Sequence, residues 1–382
     1  MHGGEEDLAG PVAHLGTVGV AMNALLQYLR PPNGGAPDWD RLAAERPWAL
    51  AMAECVQQPG FHDEGSVLRH VALVHAELLA LGDFRSLPQD EKDILEMAAL
   101  FHDVGKPGTT RLEGGRIRSP GHSVRGEIDA RRILWREGVP FEAREAVCQL
   151  VRFHQQPFQL LGHPDAEKRL LRISVASRCD HLAILAEADA RGRVAAGIAE
   201  SVANVRLFRE FAAEHGVLHG SFPFESDHSR FLYFQKEARN PYYRAHDDTK
   251  GTLTLLSGLP GVGKSTWIRE NLWASHVIGL DETREEMGVS PTDPQGPVVQ
   301  ATKQKAREFM GSKELVTDRA ERSLVWNATS LSRMHRRPLI DLAEAYNFRV
   351  HIVYLETTPA RLFAQNEDRD RSVPAAAMER MF

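Results

Sequence analysis

Apolar residues recur at helical spacing through the first 215 residues of the chain. The clearest case is a stripe formed by Val67, Val71, Val74, Leu78 and Leu81, which marks one face of a helix. The same spacing, with Gly and Pro as stop signals, predicts further helices over residues 41–57, 93–104, 123–136, 142–154, 166–190 and 193–214. Hardly any stretch alternates as a strand should, so residues 1–215 are predicted to form an all-α domain.

The pattern changes after residue 250, where short apolar and β-branched runs alternate with helical stretches. Strands are predicted at residues 252–257, 276–280, 323–326 and 348–355, with helices between them. This alternation predicts an α/β domain over residues 251–382, built on a parallel, doubly wound sheet. The chain is therefore predicted to be multidomain.

Residues 216–250 fit neither pattern, because they are rich in aromatic side chains and are interrupted by Pro223 and Pro241. We interpret this segment as a connector that packs between the two domains. The alternative is that its rings stack on nucleic-acid bases. The aromatic residues concerned are Phe222, Phe224, Phe231, Tyr233, Phe234, Tyr242 and Tyr243.

Composition sets limits without indicating a reaction. Of the 382 residues, 42% are apolar and 26% are charged, as in ordinary soluble proteins. The three cysteines lie far apart, which predicts a reducing compartment and argues against a thiolate zinc site. No apolar run is long enough for a membrane and the first residues do not resemble a signal peptide, so we expect a cytoplasmic protein without a membrane partner. With a net charge of −6, nucleic-acid binding would rest on local basic clusters.

The most specific motif lies over Gly258–Ser265, which reads G-x-x-x-x-G-K-S between a predicted strand and a predicted helix. Such a loop wraps the phosphates of ATP, or of another nucleoside triphosphate, with backbone N–H groups. Lys264 is expected to reach the β- and γ-phosphates, and the Ser265 hydroxyl is expected to ligate Mg²⁺. The predicted nucleotide contacts are Gly258, Pro260, Gly261, Gly263, Lys264, Ser265 and Thr266.

Two further features belong to the same predicted domain. Asp281 follows a predicted strand, where a carboxylate can take the proton from an attacking hydroxyl, and Arg284 can hold an anionic group of the acceptor. An N-cap role for Asp281 is the alternative, and the two roles are compatible. The polar segment 357–371 follows the last strand and is predicted to close over the triphosphate as a lid; a mobile, solvated loop is the alternative.

Histidines are numerous, with 17 in the chain and most of them before residue 250. His70, the adjacent His102 and Asp103, and Asp189 form a series spread over predicted helices. Imidazole and carboxylate groups are the ligands that Mn, Fe, Co, Ni or Zn ions accept. A lone histidine on an apolar helix face is more often a packed core residue, and His154 by itself would be interpreted in that way.

Four stretches of this region closely resemble HD-superfamily phosphohydrolases, especially the HD domain attached to bacterial tRNA nucleotidyltransferases. They are Phe101–Pro107, Gly121–Glu127, Leu150–His154 and Ala188–Gly192. The resemblance implies one ion held by His70, His102, Asp103 and Asp189, and a second held by His122 and His154, with Asp103 bridging. Lys106 is a candidate phosphate contact, as are Arg191 and Arg193, although solvation on a helix surface is the default for all three. Ser123 departs from the pattern, since an acidic residue often follows the histidine.

The second half of the chain closely resembles 5′-hydroxyl polynucleotide kinases of the end-healing type. The resemblance rests on Gly258–Ser265, Asp281, Arg284, Val325–Thr329, Arg333–Arg337 and Gln365–Arg369. It implies that Lys264 and Ser265 handle ATP and Mg²⁺, Asp281 is the general base, Arg284 contacts an acceptor phosphate and Arg369 is the lid arginine. Asn327 and Gln365 depart from the pattern, and the family usually continues into further helices beyond the position of Phe382.

Together the two halves resemble the HD-Pnk group of bacterial end-healing enzymes over residues 40–382. This implies removal of 2′,3′-cyclic phosphates and of 2′- or 3′-phosphates from RNA or DNA ends, phosphorylation of 5′-hydroxyl ends, and a functional link to a nucleic-acid ligase. One alternative is an HD nucleotide phosphohydrolase fused to a kinase for a small molecule, such as a nucleoside or an antibiotic. Another is a module that senses nucleotides and metals without turnover.

Overall fold

The computed structural model describes residues 18–235, 240–272, 275–290, 293–312, 322–368 and 372–381. The chain divides into two compact units, Met1–Pro223 and Phe224–Phe382. None of the helices in the described ranges is long and apolar enough to cross a membrane.

The first unit is helical, as predicted. Its helices are α1 (Val18–Leu29), α2 (Trp39–Glu45), α3 (Pro47–Glu54), α4 (Val67–Ala80), α5 (Gly82–Ser86), α6 (Gln89–Phe101), α7 (His122–Arg136), α8 (Phe141–Phe153), α9 (Gln156–Gln159), α10 (Ala166–Ala176), α11 (Cys179–Arg191) and α12 (Ile198–Glu214). Two predicted helices are in fact broken. Pro47 begins α3 and forces Arg46 into an extended conformation, and Ser177 is extended between α10 and α11.

One short hairpin departs from the all-α prediction for residues 1–215. Strands β1 (Arg111–Glu113) and β2 (Arg116–Arg118) pair antiparallel through a turn at Gly114 and Gly115. Both glycines have positive φ, which a tight two-residue hairpin turn favours. Three-residue strands are too short to show an alternating pattern, so periodicity could not predict them.

Helix α11 forms the centre of this unit. Nearly all of its side chains are buried, and it packs against α4, α6, α8 and α12. A helix that is apolar on most sides must be surrounded by others, so α11 fixes the places of its neighbours. Helix α7 in turn packs on α8. The ends of α6, α7 and α8 are thereby brought to one region beside α4 and α11.

A close approach between two glycines sets the position of α7. A Cβ atom on Gly105 would lie 2.3 Å from the carbonyl oxygen of His122 and 2.4 Å from the backbone nitrogen of Gly126. Neither backbone atom can move without moving the helix. Only a residue without a side chain fits at position 105, and the close contact places the start of α7 against the end of α6.

The second unit confirms the predicted α/β fold. Its elements are α13 (Asp227–Gln235), β3 (Gly251–Ser257), α14 (Lys264–Asn271), β4 (His276–Gly279), α15 (Leu280–Glu286), α16 (Gly296–Gly311), β5 (Ser323–Asn327), α17 (Arg333–Ala345), β6 (Phe348–Tyr354), α18 (Pro359–Glu367) and α19 (Ala375–Met381). The four strands β3 to β6 form one parallel sheet in the order β4-β5-β3-β6.

Apolar side chains cover both faces of this sheet. On one face, Leu253, Leu324 and Trp326 pack with residues of α16 and α17, and on the other Leu256 and Val325 pack with Ile268 of α14. Because crossover helices lie on both faces, the strands read as continuous apolar runs. All four strands point the same way, so their carboxyl ends meet at one edge, where the phosphate-binding loop begins.

The aromatic segment forms part of the second unit from Phe224 onward. Phe224, Tyr233 and Phe234 pack on one another with ring centroids 5.1–5.6 Å apart, whereas Tyr242 and Tyr243 are exposed. The first three rings therefore belong to local packing. The predicted domain limits at residues 215 and 250 stay predictions.

Substituting Gly105→Ala tests the close approach. Overpacking against rigid backbone should cost about 1–3 kcal/mol in the free energy of unfolding and lower the apparent melting temperature by roughly 5 °C. Circular dichroism of the full-length chain at the helical band would measure this shift. Gly108→Ala is the matched control, because its Cβ atom would meet only the Arg125 side chain, at 3.7 Å. Equal melting temperatures for the two variants would contradict the interpretation.

Candidate functional site

The six metal ligands predicted in the first unit meet at one place and come from five parts of the fold. His70 lies in α4, His102 and Asp103 follow α6, His122 begins α7, His154 follows α8 and Asp189 lies in α11. All six are buried, His122 being the most exposed at 6%. Two of these histidines cap the C-terminal ends of their helices and a third begins one, so the converging helix ends build the site.

Asp103 lies at the centre, with one carboxylate oxygen facing each half of the cluster. Its Oδ1 atom is 3.3 Å from Nε2 of His122 and 3.8 Å from Nε2 of His154. Its Oδ2 atom is 3.4 Å from Nε2 of His102 and 3.8 Å from Nε2 of His70. The donors fall into two groups, His70–His102–Asp103 and Asp103–His122–His154, each with all atoms within 4.8 Å. This is the arrangement of a carboxylate that bridges two ions.

Three of the histidines have their tautomer fixed by the backbone just before them in the chain. In each, the Nδ1–H group donates to the backbone carbonyl three residues earlier, at 2.8 Å, and Nε2 keeps its lone pair. The donor and acceptor pairs are His102 with Ala99, His122 with Ser119, and His154 with Val151. Backbone partners of this kind orient imidazoles for metal binding.

The cluster fits a pair of divalent transition ions. The Nε2 atoms of His122 and His154 lie 3.4 Å apart, and both carry lone pairs. Burial lowers the pKa of both imidazoles, that of His154 to about 3, so a proton does not relieve this contact near neutrality. In the described part of the chain, His102 Nε2 and Asp103 Oδ1 have no hydrogen-bond partner. Buried lone pairs that converge in this way need cations.

Lys106 and Arg193 neutralise the two aspartates. Lys106 Nζ lies 2.7 Å from Asp103 Oδ2 and donates to Gln57 Oε1 at 2.6 Å, and Arg193 Nη2 donates to Asp189 Oδ2 at 2.8 Å. Burial raises the pKa of both carboxyl groups, yet these cations and the nearby imidazoles hold each pKa well below its usual range. The default interpretation of both residues as solvated on a helix surface is therefore wrong, because Lys106 is 9% exposed and Arg193 pairs with Asp189.

Arg191, by contrast, lies on the helix surface, as the default interpretation predicts. It pairs with Glu187 one turn earlier on α11, and its side chain is 37% exposed. Two other histidines of this unit, His75 and His181, lie outside the cluster. Both are buried and bind the carboxylates of Glu96 and Glu91, so their role is structural.

Sequence reasoning missed two residues of this site, His62 and Glu64. Glu64 Oε1 lies 2.7 Å from Nδ1 of His62 and 3.0 Å from Nδ1 of His70, and the three form a further possible ligand group. Burial raises the pKa of Glu64, but its imidazole partners and the backbone N–H of Val194 bring it down to about 2. Glu64 therefore orients His70 from behind. Both residues lie in the loop between α3 and α4, where no periodicity could indicate them.

The phosphate-binding loop joins β3 to α14, as predicted. Gly261 and Gly263 have φ values of 84° and 98°, which turn the backbone back toward the start of α14. Lys264 Nζ donates to the carbonyls of Gly258 and Leu259, at 2.9 and 2.8 Å. The ammonium group thus lies across the mouth of the loop, beside the N-terminus of the helix that Ser265 and Thr266 help to open.

Asp281 and Arg284 lie together on α15, just beyond the carboxyl end of β4. Their side chains form an ion pair between Asp281 Oδ1 and Arg284 Nη1, and Arg284 Nε donates to Gln295 Oε1 at 2.8 Å. The N-cap interpretation of Asp281 is wrong, because Gly279 is the N-cap and Asp281 belongs to the first turn. Asn327 ends β5 opposite Gly279, at the same edge of the sheet.

The predicted lid is partly described. Its first portion forms α18, and Asn366 packs within 3.4–3.5 Å of where a Cβ atom on Gly261 would lie. With its amide nitrogen toward the loop, Gln365 donates to the Gly261 carbonyl at 3.2 Å. This end of the helix therefore contacts the phosphate-binding loop. Arg369, the predicted lid arginine, lies outside the described residues.

Three arginines of α17 differ in their surroundings: Arg336 contacts a neighbouring loop, and Arg333 and Arg337 lie on the surface. Arg336 Nη1 donates to the carbonyl of Ser330 at 2.9 Å, whereas Arg337 pairs with Asp341 and Arg333 is exposed. The Thr329 carbonyl in the same loop accepts from the N–H of Gly258 at 3.0 Å. Arg336 therefore stabilises the loop that contains Thr329 and Ser330, and this loop contacts the first residue of the phosphate-binding loop.

Comparisons with known proteins match two separate families. Residues 67–190 match the model of the HD domain, and residues 253–382 match the model of an AAA domain. The chain therefore carries a helical HD domain followed by a P-loop domain of the AAA type with a parallel sheet.

Two curated relatives are similar to parts of the chain. A CC-adding tRNA nucleotidyltransferase of Thermus thermophilus is 44% identical over 78 residues, which cover 20% of this chain and 17% of that protein. A Multifunctional CCA protein of Laribacter hongkongensis is 31% identical over 167 residues, which cover 41% of this chain and 37% of that protein. The chain thus spans well under half of the length of either relative.

Replacing a ligand on one side of Asp103 should remove one ion. We expect the wild-type chain to bind about two Mn²⁺ ions, and His122→Ala to bind about one, because that variant loses one of the three donors on its side. Isothermal titration with Mn²⁺, backed by elemental analysis after dialysis, would count the ions. His163→Ala is the control, since His163 is partly exposed and lies outside the cluster. Unchanged stoichiometry in His122→Ala would contradict the bridging arrangement.

Proposed function

We propose that this chain is a bifunctional nucleic-acid end-healing enzyme. Its HD domain would remove 2′,3′-cyclic phosphates and 2′- or 3′-phosphates from broken ends, and its P-loop domain would transfer the γ-phosphate of ATP to 5′-hydroxyl ends. The observation that carries the proposal is that one chain contains a buried histidine–aspartate cluster and, in its second unit, a P-loop and the Asp281–Arg284 pair, each of which suits phosphate chemistry. Their products, a 3′-hydroxyl and a 5′-phosphate, are what a ligase joins.

The first site suits phosphoester hydrolysis. Two divalent ions there would supply a nucleophile at neutral pH and would neutralise the charge that develops on the phosphate. The protein contributes the fixed imidazole tautomers, the bridging Asp103 and the orienting contacts of Arg193 and Glu64. Lys106 reaches Asp103 from the open side, where its ammonium group can also meet a phosphate oxygen. No base contact is needed for this chemistry.

The second site suits phosphoryl transfer to an alcohol. Lys264 and the loop N–H groups would hold the β- and γ-phosphates, and Ser265 would ligate the Mg²⁺ that accompanies ATP. Asp281 is 60% exposed at the edge of the sheet, where an incoming hydroxyl can give up its proton to the carboxylate. Its partner Arg284 keeps that carboxylate oriented and offers a guanidinium group to an acceptor phosphate.

Two observations favour a polynucleotide acceptor over a small molecule. Arg284 lies beside the proposed base, where it suits an acceptor that already carries phosphate. One of the relatives is named as a tRNA nucleotidyltransferase, so its own substrate is an RNA. The resemblance of both halves to HD-Pnk enzymes supports the same choice.

A small-molecule kinase fused to a nucleotide phosphohydrolase is the second candidate. The net charge of −6 favours it, because proteins that hold long nucleic acids usually carry a basic surface. This candidate predicts consumption of ATP with a free nucleoside or a similar alcohol, and no change at either end of an oligonucleotide.

Asp281→Ala should abolish most of the kinase reaction. Loss of a general base lowers kcat by about 10²–10⁴-fold, while removal of the terminal phosphate should stay intact. The assay would follow transfer of labelled phosphate from ATP to a 5′-hydroxyl oligonucleotide in Mg²⁺. Glu286→Ala is the matched control, because Glu286 lies on the same helix with a similar exposure and pairs with Lys305. Equal activity in both variants would reject Asp281 as the base.

The double variant His102→Ala/Asp103→Ala should show the opposite pattern. It removes a terminal ligand and the bridging carboxylate, so conversion of a 2′,3′-cyclic phosphate end to a hydroxyl should be lost while 5′-phosphorylation continues. One oligonucleotide with both kinds of end, incubated with ATP, Mg²⁺ and Mn²⁺, reports both reactions. If the wild-type chain changes neither end but consumes ATP with a nucleoside, the small-molecule candidate replaces the proposal.

A further inference from the structure

A cleft of about 310 Å³ opens beside the metal-ligand cluster of the first unit. His122, one of the predicted ligands, and Lys106, which binds the bridging carboxylate, both line it. On the outer side it is lined by the hairpin residues Arg116 and Arg118 and by the exposed ring of Phe61. The cleft therefore leads from the surface to the cluster, and the hairpin forms one of its walls.

The wall formed by the hairpin is cationic. Arg116 and Arg118 are both exposed and stand two residues apart on β2, so they share one face of the strand. Neither makes an ion pair with another residue in the described part of the chain, and no carboxylate lines the cleft. Lys106, by contrast, is already bound to Asp103. Two exposed guanidinium groups without acidic neighbours in the cleft suit an anion such as a phosphodiester.

The hairpin is held in place at its base by residues of the site itself. The carbonyl of Ser119 accepts a hydrogen bond from Nδ1 of His122 at 2.8 Å. The hydroxyl groups of Ser119 and Thr110 lie 2.7 Å apart, and the Thr110 hydroxyl donates to the Lys106 carbonyl at 2.8 Å. A further hydrogen bond runs from the N–H of Ile117 to Oε1 of Gln58, at 2.7 Å. The wall of the cleft therefore keeps its place relative to the cluster.

Chain connectivity limits how far the arginines can lie from the metal ligands. Arg118 precedes His122 by four residues, which span at most about 14 Å even when fully extended. The next phosphate along a nucleic-acid strand lies within that range of the terminal one. Phe61, 65% exposed on the same cleft, offers a ring on which a base can stack.

We propose that Arg116 and Arg118 bind the phosphodiester that precedes the terminal phosphate of the substrate. The HD site would then select the ends of polynucleotides over free nucleotides, because a mononucleotide has no such second phosphate. This inference rests on the proposed phosphoesterase function and names the substrate class of that site. It does not require base-specific contacts.

The test compares two substrates of the full-length enzyme, a 2′,3′-cyclic mononucleotide and a short oligonucleotide with a 2′,3′-cyclic phosphate end. In Arg116→Ala/Arg118→Ala, the ratio of kcat/KM for the oligonucleotide to kcat/KM for the mononucleotide should fall about 10- to 100-fold, as expected for lost arginine–phosphate bonds. The salt dependence of kcat/KM for the oligonucleotide should also weaken, by a slope of about one per phosphate contact. Arg116→Lys/Arg118→Lys should restore part of the ratio.

Arg111→Ala is the matched control, because Arg111 lies opposite Arg118 on the same hairpin but pairs with Glu113 and does not line the cleft. Its substrate ratio should equal that of the wild type. Two results for the double alanine variant would overturn the role of the cleft: an equal loss of activity on both substrates, or unchanged activity on both. Either result would leave the phosphoesterase function standing. A wild-type enzyme that hydrolyses neither substrate would overturn both.

Discussion

The burial of Asp103 is the constraint on which the first unit depends. A carboxylate removed from water is strongly unfavourable unless cations and hydrogen-bond donors surround it. Here Lys106 places its ammonium group 2.7 Å from the carboxylate, and the four histidines around Asp103 are held in place by four separate helices. The fully packed α11 and the contact between Gly105 and Gly126 serve this convergence, since both restrict where the neighbouring helices can lie.

The second unit solves a similar problem with its backbone. Its loop presents N–H groups whose directions follow from left-handed glycines between a strand and a helix, an arrangement that suits a phosphate with few side chains. The sheet contributes by ending four parallel strands at one edge, which brings the loop, Asp281 and Asn327 together. Side chains from distant helices build one site, whereas one short contiguous segment builds most of the other.

That difference explains what could be predicted from the sequence. The strands and the phosphate-binding loop were predicted to within a residue or two, because motif, strand and helix are neighbours along the chain. His122 and His154 stood out only through family resemblance, since spacing alone could not tell His154 from a core residue. Glu64, His62 and the hairpin gave no local signal, because tertiary contacts define them. The break at Arg46 did have a local signal, Pro47, which the predicted helix over residues 41–57 overlooked, whereas no proline or glycine marks the break at Ser177. The roles assigned to the site residues stay predictions.

The hydrogen bonds from Nδ1 of three histidines to the backbone carbonyl three residues earlier have a consequence for metal choice. Each of these bonds decides locally which ring nitrogen faces inward, so the coordination geometry exists before any ion arrives. A preformed nest of nitrogen and oxygen donors discriminates weakly among first-row ions, whose affinities follow an order common to most such sites. For such a cluster, the supply of ions in the cell would decide which metal it holds more than the side chains themselves would.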